Sequence, residues 1–396
     1  MYTLLAHIPN ILLIATPVLL LISTKLVSTI MSIAAVFVLL LHPQRRAMLH
    51  GIIEARALCI LMVLLLFWPL LSVLWSVDRG ESLSDWFRVA LIMLVGAVLW
   101  VNVNRFSPPA SSCLIRYMAL SSIAVQCFTA LETVAEVPTL IWVTELLGGD
   151  HYQLVVQYIN RFANAMPMLT LALTYGLLAH GMRLLAWQLL IVTILTLLSL
   201  DSNSAVLGLT AGSMVWLLMR AAPRFTAHSM CILVPLGFFL LPALTYALLT
   251  LPELAGMRET FTNFSAGRMP IWQSLIENSW HHWQLGWGIS TTHLIPYNPD
   301  LPKQIPFTGP PLHPHHSPLQ VTLELGMVGL LLYCAALYML LKQLTHLPNG
   351  LAKQASFALM ISYLATGLSS FSIWANWWIG MAWLTAILWR YFTLAR

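Results

Sequence analysis

Apolar residues in this chain come in long runs separated by short polar connections. Runs of about 17 to 24 residues match a hydrocarbon core of about 30 Å, which a helix crosses in about 20 residues. Twelve such runs can be marked, at 4–22, 26–41, 57–76, 86–103, 113–131, 163–180, 184–200, 204–219, 228–250, 318–341, 355–372 and 376–392. The pattern predicts an all-α polytopic membrane protein of about twelve transmembrane helices. Two connections are long, 132–162 and 251–317, and loops longer than about 12–15 residues are often functional. The chain then divides into nine helices over 1–250, one large outer loop over 251–317, and three helices over 318–396. Inside the large loop, Pro270 suits a helix start, and Ile271, Trp272, Leu275, Ile276 and Trp280 recur at helical spacing. A short amphipathic helix is expected there, lying on the bundle or in the interface. After it, Trp283 to Gly288 and the proline-rich run to Pro314 read as irregular chain returning to the bundle.

Composition agrees with this pattern. Of 396 residues, 59% are hydrophobic and only 8% are charged, against roughly 25% charged in a soluble domain. The first apolar run lacks a basic flank and a small-residue cleavage site, so it is expected to be a retained span. The net charge of +5 does not point to nucleic acid, because the basic residues follow the membrane. With both termini inside, twelve of the 19 Lys and Arg residues fall on the inner side, as the positive-inside tendency requires. Both long loops then face outward, and so does any chemistry they carry. The five cysteines lie in apolar runs and suggest neither a disulfide frame nor a metal site.

The densest candidate chemistry is His313-Pro314-His315-His316-Ser317-Pro318-Leu319-Gln320, which runs straight into the tenth span. Ser317 reads as a helix N-cap, Pro318 as the first helical residue, and Gln320 as the partner that closes a capping box. The three imidazoles would sit at the positive end of a helix, where neutral imidazole and an anionic ligand are favoured. General base at His315, with His313 and His316 beside it, is the preferred reading. A zinc site and a merely interfacial histidine stay open. Gln320 and Glu324 are four apart and share a helix face. A carboxylate inside a span is costly, so Glu324 either orients the histidines, pairs with an arginine or ties helices together. Gly326 and Gly329 suit close helix packing.

Three outer arginines complete the set: Arg161, Arg268 and Arg88. The planar guanidinium fork suits phosphate oxygens, although a boundary arginine also serves as a headgroup anchor, most easily Arg88. Three arginines and a histidine on one side would fit a lipid-linked phosphate or pyrophosphate. Trp280, Trp283 and Trp287 are interfacial anchors or sugar-stacking platforms. Paired carboxylates for metal-assisted glycosyl transfer, a P-loop and a nucleophile elbow are all lacking.

The run from His313 through Glu324-Leu325-Gly326 and Gly329-Leu330-Leu331 resembles the signature that ends the large periplasmic loop in the O-antigen ligase and O-antigen polymerase superfamily. His315 takes the histidine position and His316 stands where that pattern has Asn. Leu74-Trp75-Ser76-Val77-Asp78, then Glu81-Ser82-Leu83, resembles the family's first outer turn. Arg161 through Pro167 is similar to its Arg-containing segment, with shorter spacing and no Gly. Gly267-Arg268 through Trp272, closing on Gly286-Trp287-Gly288, is similar to its loop-helix pattern, and the twelve-span layout agrees.

The resemblance implies a GT-C-like, metal-independent, inverting glycosyltransferase of the bacterial inner membrane, with no cofactor and a periplasmic active site. Its donor would be O-antigen on undecaprenyl pyrophosphate, its acceptor a sugar hydroxyl of lipid A–core, and membrane lipids its surroundings. Arg161 and Arg268 would bind the pyrophosphate, and His315 would deprotonate the attacking hydroxyl. An O-antigen polymerase would use the same donor and a second lipid-linked glycan as acceptor. A protein O-oligosaccharyltransferase fits less well because no further outer domain follows the twelfth span. A transporter fits less well still, because the polar residues gather at outer ends and no paired broken helices are evident.

Overall fold

A computed structural model describes residues 2–41, 55–103, 111–146, 151–200, 202–258, 268–279, 282–295 and 312–394. Among them every regular element is helical. In chain order these are α1 (Tyr2–Ile22), α2 (Leu26–Leu41), α3 (Arg56–Ser72), α4 (Arg79–Asn102), α5 (Ser111–Val134), α6 (Pro138–Leu146) and α7 (His151–Ala179). There follow α8 (Arg183–Ser199), α9 (Asn203–Ala221), α10 (Pro223–Thr250), α11 (Met269–Ser279), α12 (Ser317–Thr345), α13 (Leu351–Gly367) and α14 (Asn376–Leu394). Arg45, Arg46, Glu54, Arg105, Gly267, Trp280, Lys303, Arg396 and most of the proline-rich run lie outside the described residues.

Each of the twelve apolar runs coincides with one long helix. Six of these are long and apolar enough to cross a membrane by length and composition: α4, α5, α7, α9, α10 and α12. The outward side chains fit a hydrocarbon surround. On α10, Ile232 and Leu244 are 63% and 59% exposed, an apolar surface that water would not tolerate on this scale.

Two expected boundaries move. The connection at 132–162 is largely helical, because it holds α6 and the first twelve residues of α7. Polar Gln, Asn and Arg residues hide the periodicity there, yet Val155 and Ile159, four apart, are buried together with Val137. Glu132 accepts from the Thr139 and Leu140 amides at 3.0 and 3.1 Å, so the first turn of α6 is capped by the end of α5. The run 355–372 also ends early. α13 stops at Gly367, and the following turn leads to α14 at Asn376.

The bundle core runs along α7, which α13 and α14 flank. α9 lies along α13, where a Cβ on Gly208 or Gly212 would meet Thr366 Oγ1 at 2.0 Å or the Ala358 carbonyl at 2.9 Å. Close backbone approach between small residues is how helices gain dispersion contact within a membrane. α12 is held between α3 and α10.

The amphipathic helix expected in the large loop is present as α11. Ile271, Leu275 and Ile276 face inward with Leu249 of α10 and Leu319 and Leu323 of α12. This places the loop helix against the first two turns of α12, beside the histidine run.

Candidate functional site

The start of α12 differs from the expected capping box. His316, not Ser317, is the N-cap: its Nδ1 accepts from the Leu319 amide at 3.1 Å. Ser317 instead donates to the Gly367 carbonyl at 2.6 Å, and Gln320 is turned toward 372–373. An imidazole nitrogen can satisfy an orphan helical N–H as a hydroxyl does, so His316 takes a structural place. Trp272 of α11 packs edge-on against the His316 ring and donates Nε1–H to the Pro314 carbonyl at 2.6 Å.

His315 sits at φ 52°, in the left-handed region. This conformation is uncommon outside glycine, although His adopts it more readily than most. It costs on the order of 1–3 kcal/mol and persists where its surroundings over-determine it. Here His315 Nδ1 donates to the Ser370 carbonyl, and the His315 amide donates to His313 Nδ1 at 3.3 Å.

These partners set the tautomers. His313 and His316 each use Nδ1 as an acceptor, so their neutral rings carry the proton on Nε2. His315 carries its proton on Nδ1, which leaves Nε2 as the one unprotonated ring nitrogen of the three without a partner among the described residues. Burial pushes His315 down from the ordinary imidazole value of 6.5 to about 4, helped by the Arg268 charge and opposed by the Ser370 carbonyl. Burial likewise pushes His316 down to about 4. His313 is held well below the usual range by burial, then by His315, Arg268 and Arg161. All three rings are neutral at neutral pH.

The expected cations divide. Arg268 lies just before α11, and burial lowers its guanidinium from the ordinary value. Arg161 lies on α7. Both charges reach His313, and that of Arg268 reaches His315. Arg88 stays apart: it pairs with Asp85 one turn earlier on α4, its side chain is 60% exposed, and Asp85 also accepts from Ser290 Oγ.

Glu324 is fully buried and meets no arginine among the described residues. Its carboxylate accepts from the Ser290 amide at 2.8 Å, the Thr292 amide at 3.3 Å and hydroxyl at 2.5 Å, Gln320 Nε2 at 3.1 Å, and Trp374 Nε1. Gln320 also donates to Ser372 Oγ at 2.9 Å and accepts from the Ile373 amide at 3.1 Å. Of the readings open for Glu324, the tie between segments is the one built. It joins α12, the 290–292 loop and the 370–374 turn.

Gly326 does more than pack closely. Its φ of 66° breaks α12, and chain from the large loop fills the break. Trp287 and Gly288 amides donate to the Leu323 and Glu324 carbonyls at 3.0 and 2.8 Å, and the Met327 amide donates to the Trp283 carbonyl at 2.9 Å. Trp68 Nε1 takes the Leu325 carbonyl at 2.9 Å. A Cβ on Gly326 would lie 2.2 Å from the Gln284 carbonyl oxygen. A broken helix is therefore present, though not the pair that a transporter would use, and the carbonyls it frees at 323–325 are already occupied. The end of α3 and the start of α4 support the same loop: Ser82 Oγ donates to the Ile289 carbonyl at 2.7 Å, and Ser72 Oγ accepts the Ile289 amide at 3.0 Å.

Trp283 is 47% exposed, and Trp287 packs on His282 with ring centroids 4.1 Å apart. Among the described residues no group of three His, Cys, Asp or Glu side chains is arranged to hold a metal ion. The sequence reading missed Ser370, Trp374 and Thr292, and it placed Trp272 only on the amphipathic helix. The only signal was the serine-rich stretch Ser369-Ser370-Phe371-Ser372 inside what looked like continuous span.

Residues 188–334 match a family model described as O-antigen ligase. That segment holds Arg268, the three histidines, Gln320 and Glu324; Arg88, Arg161 and Ser370 lie outside it. A Rickettsia felis protein provisionally described as a polysaccharide ligase is 30% identical over 211 residues, 51% of this chain and 50% of the relative. A Rickettsia conorii protein of the same description is 31% identical over 198 residues, 48% of this chain and 47% of the relative. A Rickettsia bellii protein so described is 26% identical over 328 residues, covering 79% and 74%. The matches to the first two span about half the length of those relatives.

Proposed function

We propose that this chain, a member of the O-antigen ligase family by its 188–334 segment, is a membrane glycosyltransferase that moves a polysaccharide from a lipid pyrophosphate to a sugar hydroxyl. The donor is O-antigen on undecaprenyl pyrophosphate and the acceptor is lipid A–core. The observation that carries this reading is the Nε2 of His315, which has no partner among the described residues, is neutral and lies within the field of Arg268, with the Arg161 charge also reaching His313.

The step runs as an in-line displacement. The acceptor oxygen attacks the anomeric carbon while the bond to pyrophosphate breaks, and the bonding pair leaves on the pyrophosphate oxygen. The hydroxyl proton passes to His315 Nε2 and later to solvent, and the anomeric configuration inverts. Arg161 and Arg268 bind the pyrophosphate and stabilise its growing charge, a contribution commonly of about 2.7–4 kcal/mol per well-placed donor. The leaving group is already good, so no metal is required. Arg268 also ties binding to basicity. Burial chiefly, and the unneutralised Arg268 charge after it, hold His315 near 4. A bound pyrophosphate offsets that charge and raises the imidazole toward the range where a general base works best.

Twelve crossings, cytoplasmic termini and a periplasmic large loop in the inner membrane complete the proposal. Arg88 has no part in it, and Glu324 and Gln320 act from outside the reacting atoms. The relatives' description as polysaccharide ligases favours ligase over polymerase, and the filled break at Gly326 offers no free carbonyls for a transported ion there.

The test is to give purified protein undecaprenyl-pyrophosphate glycan and lipid A–core in excess chelator and to weigh the products. Glycan on lipid A–core is expected. Longer glycan still on undecaprenyl pyrophosphate would replace ligase by polymerase, and zinc-restored activity would overturn the metal-free mechanism.

A further inference from the structure

The polar network around Glu324 and Gln320 is buried and joins three segments of the chain. Gln320 and Glu324 together hold the 370–374 turn at three points: Ser372 Oγ, the Ile373 amide and Trp374 Nε1. Ser372 Oγ in turn accepts from the Trp374 amide at 3.3 Å, and Ser370 Oγ donates to the Thr366 carbonyl at 2.6 Å, locking the end of α13. The product of all these bonds is one backbone carbonyl, that of Ser370, presented to His315 Nδ1.

We propose that Glu324, with Gln320 and Trp374, is a positioning device that fixes the 370–374 turn so that the Ser370 carbonyl holds His315 in its Nδ1–H tautomer with Nε2 free. This rests on the reading of His315 as the base. Without that carbonyl the ring is free to exchange tautomers, and a proton on Nε2 blocks proton abstraction. The same carboxylate also binds the Ser290 amide and Thr292, so the large loop and the base share one anchor. A fully buried carboxylate inside a span is expensive, and five donors to one carboxylate account for its retention here. The groups facing His315 are His313, whose ring centroid is 4.1 Å away, the Arg268 charge, and the Ser370 carbonyl. The effect of Glu324 therefore travels through the turn and not through its own charge.

The experiment reads the tautomer directly. Protein labelled with ¹⁵N-histidine is placed in lipid nanodiscs, and the ring nitrogens are observed by solid-state NMR; His315→Gln identifies the His315 signals by difference. Wild type is expected to hold His315 wholly as the Nδ1–H form. Glu324→Gln, and the milder Trp374→Phe if the former fails to fold, are expected to give a tautomer mixture. Their kcat should fall by roughly tenfold to a hundredfold, as for a slightly misplaced catalytic group, with the donor KM unchanged. A single tautomer retained in variants whose kcat falls would reduce Glu324 to a purely structural tie, and an Nε2–H ring in wild type would overturn the proposal outright. Full transfer by His315→Gln would instead remove the base assignment itself, so the two failures are told apart.

Discussion

His315 donates its Nδ1 proton to the backbone carbonyl of Ser370. The two residues belong to different segments, the end of the large loop and the turn between α13 and α14, and the bond sets which nitrogen of the ring is left to react. His313 and His316 are turned the other way, each accepting a backbone N–H at Nδ1.

The roles of the neighbouring histidines follow from those bonds. His316→Asn keeps an N-cap acceptor and should retain near-normal transfer, whereas His316→Ala should cost about 1 kcal/mol of stability through the lost cap. Thermal unfolding in detergent, read beside initial rates, separates the two.

The arginines should sort by position. Arg161→Ala and Arg268→Ala are expected to lower transfer by about 10²-fold or more each, with weaker use of the pyrophosphate donor. Arg88→Ala should leave the rate unchanged, since its side chain is 60% exposed and pairs with Asp85 on its own helix. Rates measured against donor concentration decide this, and equal loss at Arg88 would undo the grouping.

Acid should inactivate in a defined way. A protonated His315 cannot accept the hydroxyl proton, so kcat/KM, which reports the free enzyme, should fall only as pH drops through about 4. The limb in kcat, which reports the donor complex, should lie higher because the bound pyrophosphate offsets Arg268. For the same reason Arg268→Gln should raise the kcat/KM limb. A limb near 6.5 in the free wild-type enzyme would contradict the buried, cation-flanked setting.

Docking of the large loop should depend on Gly326. Gly326→Ala places a Cβ against the Gln284 carbonyl at a positive φ, so it should destabilise by more than the ~1 kcal/mol that a glycine replacement contributes favourably where the backbone suits alanine. Gly237→Ala, where a Cβ meets nothing within 4 Å, serves as the control. Limited proteolysis of the 282–295 segment reports the undocking.

Much of the architecture was legible because span length and amphipathic period are local properties. The helix over 269–279 announced itself through Ile271, Leu275 and Ile276. The early start of α7 did not, because Asn160 and Arg161 interrupt its apolar face while Val155 and Ile159 find their partner, Val137, outside the helix. The histidine run was visible and His315 was already preferred within it, but the place of the proton on its ring was not legible. That placement rests on Ser370, a backbone acceptor with no side-chain signature, in a turn that hydrophobicity alone merges into a span. The cap went to His316 for a similar reason: Ser317 is the better cap by propensity, and the Gly367 carbonyl takes its hydroxyl.

The most direct measurement is single-turnover transfer by His315→Ala, with donor binding and folding measured on the same preparation. The account predicts that binding and folding survive while the transfer rate falls by about 10²–10⁴-fold, the usual contribution of a general base. Transfer at the wild-type rate would contradict it.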